Sequence, residues 1–153
     1  MKKILMMLAP VFCAQMAFCQ SFDEVANKLK ALPGAEMLTL DKDMLKLATS
    51  ASTDQSANKM MGKLDELVML NIENPSDETI ATFLKEVKTL KNIYSKVAEE
   101  EEDGETMLVF GDLDDDGNAK GFIVGKAGKE ECMLMYMKGN VSAEELEALS
   151  EMK

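Results

Sequence analysis

The chain has 153 residues, with 28 acids against 17 lysines and no arginine, histidine or tryptophan. That length suits one domain of ordinary size. A formal net charge of −11 repels phosphate backbones, and a chain without arginine lacks the bidentate reader of guanine, so nucleic acid is excluded as a partner.

Residues 1–19 read as a segment that is removed. Lys2 and Lys3 form a basic start, Ile4 to Phe18 is apolar apart from Gln15, and Ala17-Phe18-Cys19 places small residues three and one before Gln20. This is the pattern of a secretory signal peptide cleaved after Cys19, and the apolar run is too short for a comfortable membrane span. The alternatives are a buried N-terminal helix and a lipid anchor at Cys19. Phe18, however, stands where lipid-attachment sequences place a small residue, and Cys13 follows Pro10-Val11-Phe12. The expectation is therefore an exported protein, periplasmic or secreted, with no membrane span after cleavage. Losing Lys2 and Lys3 lowers the net charge to about −13. Cys132 is then the last cysteine, so no intramolecular disulfide forms and a hydrophobic core must supply the stability.

From Ser21 the elements follow in order. Ser21-Phe22-Asp23-Glu24 is a capping box, with Phe22, Val25, Leu29 and Leu32 at helical spacing and Pro33-Gly34 as the stop. Glu36 to Leu40 predicts a short strand, and Asp41 is placed to cap a helix carrying Met44, Leu45 and Leu47. Ser50 to Asn58 is loop by composition. Asn58 to Asp65 can wind briefly before Leu67 to Ile72 goes extended, and the strand–helix–strand unit at 36–72 predicts a parallel crossover. Asn74-Pro75-Ser76-Asp77 starts a helix with Asn74 as cap and Pro75 as first helical residue; Ile80, Phe83, Leu84 and Val87 form its apolar stripe and Leu90 continues it. Ser95 to Glu101 can extend that helix, but Asp103-Gly104 signals a hairpin, so Lys96 to Glu101 reads as a strand.

Glu105 to Gly139 then contains three apolar runs of strand length separated by DDDGNA and AGKE, the form of an antiparallel meander. Val141 to Leu146 combines a capping box with a hydrophobic staple, and Leu146, Leu149 and Met152 form the apolar side of a closing helix. The result is a single α+β domain over 20–153, its sheet mostly antiparallel with a C-terminal meander and its helices packed mainly on one face.

This order of elements resembles a family of small exported bacterial proteins filed as domain of unknown function 4252. The resemblance is carried by Gly34 to Leu40 leading into Lys42 to Leu45, by Leu67 to Ile72, by Tyr94 to Val97 before a turn, and by Met133 to Gly139 followed by Val141 to Leu149. It implies a periplasmic or membrane-anchored α+β domain of the bacterial envelope without an established activity. Members often carry a lipid-attachment cysteine, a pattern from which Phe18-Cys19 departs. The resemblance brings no catalytic residues with it.

Four features could carry chemistry. Asp112, Asp114 and Asp116 before Gly117 match the first half of a calcium loop, whose alternate side chains converge on one ion. Ile123 stands where the closing bidentate glutamate belongs, and an Asp-Gly hairpin with solvated carboxylates accounts for the same residues. Met133, Met135 and Met137 share one strand face and could bind Cu(I), although a chain with 14 methionines also uses them to fill its core. Cys132 has no histidine to pair with and reads as a small buried hydrophobe. Paired carboxylates of a hydrolase have no cleft assigned to them and few aromatics for sugar stacking.

More informative is two-sidedness. Met107 to Phe110 and Cys132 to Met137 are apolar on both faces, where a sheet covered on one side alternates. Either helices cover both faces, or the second meets a partner. The sequence thus points to a non-enzymatic exported binding or interaction module that takes an envelope protein, an apolar ligand or a second copy of itself. Weak calcium binding and carboxylate-based hydrolysis are the alternatives, and no other cofactor is implied.

Overall fold

Turn chemistry sets the architecture. In the computed structural model, which describes residues 21–140 together with Ser142 and Glu144, the elements in chain order are α1 (Phe22–Lys30), β1 (Ala35–Asp41), α2 (Lys42–Ala51), α3 (Gln55–Met61), β2 (Leu64–Glu73) and α4 (Asp77–Lys88). A 3-10 turn (Thr89–Asn92) follows, then β3 (Ser95–Glu102), β4 (Glu105–Leu113), β5 (Ala119–Ala127) and β6 (Glu131–Gly139). The six strands form one sheet in the order β1-β2-β6-β5-β4-β3, and every neighbouring pair is antiparallel. The fold is α+β as expected, and the three runs between Glu105 and Gly139 form the meander. Lys96 to Glu101 lies within β3, joined to β4 through Asp103 and Gly104, both at positive φ (52° and 82°), the geometry a two-residue hairpin turn requires. The segment expected to be a signal peptide and the closing helix expected to carry Leu146, Leu149 and Met152 lie outside the described residues.

The parallel crossover expected at 36–72 is corrected: β1 and β2 pair antiparallel, Ala35 opposite Ile72 and Asp41 opposite Glu66. The segment expected as loop supplies the reason. Residues 52–54 alone separate α2 from α3, so the connection is two short helices rather than one. Two helices packed against each other take the chain out and back, so β2 starts at the end where β1 stopped; one uninterrupted helix would have returned it to the other end.

Three cap readings resolve differently. Asp41 caps α2, its Oδ1 accepting from the Met44 amide at 2.9 Å. Ser21 occupies the N-cap of α1 without a side-chain bond; the Phe22 amide donates instead to the Tyr94 hydroxyl at 3.3 Å. At α4 the cap is Ser76, whose Oγ accepts from the Thr79 amide at 3.2 Å, while Asn74 lies two residues earlier at φ 48°, a left-handed position asparagine tolerates.

Helices α1 and α4 cover one face. Phe22, Val25, Ala26 and Leu29 of α1 and Phe83, Val87 and Leu90 from α4 and the turn after it pack on Val68, Leu70, Ile72, Leu108, Phe110, Ile123, Cys132, Leu134 and Tyr136. Gly125 admits α4 to this face, since a Cβ there would stand 2.8 Å from Val87 Cγ1. A smaller cluster on the opposite face gathers Leu45 of α2 with Leu64, Val109, Phe122 and Met137.

Candidate functional site

The Asp-rich turn lies between β4 and β5, and its carboxylates go separate ways. Asp112 accepts a hydrogen bond from the Tyr136 hydroxyl, and Lys120 Nζ lies 3.9 Å from its other oxygen. Asp114 turns inward: its Oδ1 accepts from the amides of Asp116 (3.0 Å) and Asn118 (2.9 Å), organising the turn that Gly117 closes at φ 84°. Asp116 is exposed, and Ile123 is fully buried in the core. Among the described residues, no group of three or more histidine, cysteine, aspartate or glutamate side chains is placed to hold a metal ion.

What the sequence did not reveal is the partner of Asp112. Tyr136 lies two strands away and one register row along, since Asp112 faces Gly121 and Gly121 faces Lys138, while Phe110, Ile123 and Tyr136 form the next row. Gly121 makes the reach possible: a Cβ there would stand 3.0 Å from Tyr136 Cε2, so the ring lies across the glycine. The ring also packs on Phe22 (centroids 4.8 Å apart) and edge-on to Tyr94 (6.3 Å), with Lys138 Nζ 5.1 Å from its centroid. Burial first, and then the hydrogen bond to a carboxylate, hold the Tyr136 pKa well above the ordinary tyrosine value. Burial likewise raises that of Tyr94. A phenol held neutral in this way donates steadily, so the cluster ties α1, β4 and β6 to Tyr94 just ahead of β3. Two tyrosines and a buried-register aspartate were visible in the sequence, but only strand order brings them together.

Cys132 is a free, buried thiol on the helix-covered face. Burial pushes its pKa up, which keeps it a thiol and suits a packing role.

The second face is built differently. Strand register places Leu38, Met69, Met135, Val124, Val109 and Ala98 side by side, one from each strand, in a continuous apolar row. On one side lies the row Leu40, Leu67, Met137, Phe122 and Gly111, of which Met137 and Phe122 are 3% and 4% exposed in the cluster with Leu45. On the other lies Glu36, Asn71, Met133, Lys126, Met107 and Glu100. Met133, Met135 and Met137 do share this face, the first two half-buried. The margins stay open. Leu38 at the β1 edge is 51% exposed, while Val97 (53%) and Leu113 (44%) stand together at the β3–β4 edge, each 3.5 Å from where a Gly111 Cβ would be. No large hydrophobic of the strands' helix-covered face is so exposed.

Residues 21–149 match the family described as a domain of unknown function (DUF4252). The chain belongs to that family. Its match spans every described element, from α1 to β6. No curated protein and no solved structure matches the chain. Among the described residues of this DUF4252 chain, no helix is long and apolar enough to cross a membrane.

Proposed function

We propose that this DUF4252 protein is an exported, non-enzymatic binding module of the bacterial envelope, released to the periplasm or the exterior after cleavage behind Cys19, and that its working surface is the second face of the sheet. One observation supports the surface: an apolar row crosses all six strands of that face from Leu38 to Ala98, and exposed apolar side chains stand at both edges, Leu38 on β1 and Val97 with Leu113 beside Gly111 at the β3–β4 edge. Fully burying one such side chain is worth about 1.5–3 kcal/mol, so a partner covering both margins recovers a substantial part of a binding free energy. Methionine suits the role, because an unbranched thioether side chain repacks against different contours without a large penalty. Export is supported by the basic start, the apolar run and the small residues before Gln20.

The test uses the full chain with methyl-labelled methionine and an apolar probe, bis-ANS. Probe binding should shift the methyl signals of Met69, Met107, Met133 and Met135 and leave that of Met37, which lies on the helix-covered face, in place. A titration that shifts none of the four removes the reading.

A further inference from the structure

Charge surrounds the methionine band unevenly. The charged residues that strand register places on the second face are Glu36 of β1, Glu73 of β2, Glu131 of β6, Glu105 of β4, Glu100 and Glu102 of β3, and one lysine, Lys126 of β5. They gather towards the end of the face away from Leu45 and Phe122. Lys126 is already engaged, 3.5 Å from Glu105 and 3.8 Å from Glu131. Within the same row as Glu36 and Glu100, the Asn71 carboxamide oxygen is buried without a hydrogen-bond partner. The rim glutamates, most of them exposed, therefore offer acceptors and negative charge beside an apolar band with open margins, whereas the Asn71 oxygen is out of a partner's reach.

From this geometry we infer that the second face takes a cationic amphipathic segment of another protein, with apolar side chains on the band from Leu38 to Ala98 and its exposed neighbour Val97, and lysine or arginine side chains on the glutamate rim. The inference rests on the reading of that face as the binding surface and adds the chemistry of the partner. Charge decides among the occupants. A second copy brings a net charge of −11 as the full chain, or about −13 after cleavage, to an acidic rim, and residues 141–153 bring Glu144, Glu145, Glu147 and Glu151 against Lys153. Both oppose like charges, and like-charge juxtaposition suppresses association. An anionic lipid surface meets the same repulsion. A basic segment gains from the rim and from the apolar band together, the mode in which an amphipathic helix lays its apolar side into a hydrophobic surface.

The experiment titrates the full chain with three fluorescein-labelled 18-residue amphipathic peptides, one each of leucine with lysine, glutamine or glutamate, followed by anisotropy. The lysine peptide should bind at least about tenfold tighter than the glutamate peptide, and moderate salt should narrow the gap. Glu36→Gln with Glu100→Gln, both at exposed positions, should weaken the lysine peptide about fivefold without changing binding of the uncharged glutamine peptide. Leu38→Asn with Val97→Asn should weaken both. Equal binding of the lysine and glutamate peptides overturns the partner chemistry and leaves the binding face standing. Concentration-dependent dimerisation abolished by Leu38→Glu assigns the face to a second copy and overturns it too. If Leu149→Asp is needed before any probe reaches the methionines, the chain's own C-terminal residues are the occupant and the inference fails. If no peptide binds and bis-ANS moves none of the four methyl signals, the binding-face reading fails with it.

Discussion

The two faces of this sheet solve the same burial problem with different side chains. On the helix-covered face, Phe22, Phe83, Phe110, Ile123 and Leu134 interlock with α1 and α4, and even a strand glycine, Gly125, is there to let Val87 approach. On the other, Met69, Met107, Met133 and Met135 lie half-buried, and apolar side chains remain open at both edges. Rigid aromatic and branched side chains specify one packing, whereas methionine tolerates several. The contrast separates the part of the molecule that holds the fold from the part proposed above to meet a partner.

Substitutions should reveal the same division, beginning with the largest effect. Phe83→Ala empties a fully buried position between α4 and the sheet and should lower stability by about 3–5 kcal/mol in a urea titration. A similar loss from Met135→Ala would erase the distinction between the faces. Gly125→Ala forces a methyl group against Val87 and should cost about 1–3 kcal/mol, read as a lower thermal midpoint.

Tyr136→Phe removes the donor to Asp112 and should cost about 1–2 kcal/mol at neutral pH. It also carries a pH signature. The folded-state pKa values of Tyr136 and Tyr94 lie above the unfolded tyrosine value, so the stability they contribute is complete below about pH 10 and is lost as pH rises beyond it. Denaturation measured between pH 8 and 11 should therefore show a falling alkaline limb that Tyr136→Phe flattens. Cys132, raised in the same direction from a lower ordinary value, adds to the start of that limb, from about pH 8.5 upwards.

Met135→Leu keeps volume on the tolerant face and should change stability by less than about 1.5 kcal/mol. Smallest of all, Leu38→Asn should stay within about 0.5 kcal/mol while reducing bis-ANS binding. A large stability loss there would mean that Leu38 belongs to the core rather than to an open margin.

Much of the fold could be read from local signals. Asp103-Gly104 and the DDDGNA and AGKE segments mark the turns of the meander because hairpin connections demand residues that accept positive φ or short side-chain caps. The stripe Ile80, Phe83, Leu84 and Val87 marks α4 because a helix buried on one side repeats at that spacing. The connection after β1 was harder to read. Ser50 to Asn58 is small and polar, and nothing local distinguishes a loop from the close of one short helix and the start of another, yet that difference reverses the direction of β2. At α4, Asn74 and Ser76 are both good caps flanking Pro75, and the choice depends on where β2 ends.

The candidate site was legible in outline for the same reason. Apolar residues on both sides of Met107 to Phe110 and of Cys132 to Met137 announce a sheet with two apolar faces, because side-chain alternation is a property of each strand by itself. The identity of the strands and of α1 and α4, the acidic charge and the two-sidedness were therefore settled by the order of residues. Strand neighbours, the antiparallel return of β2, the Tyr136–Asp112 bond across Gly121, and which apolar face stays open were decided only by the tertiary structure. Each of these depends on contacts between residues tens of positions apart, and such contacts follow from packing the elements together rather than from any one element's pattern.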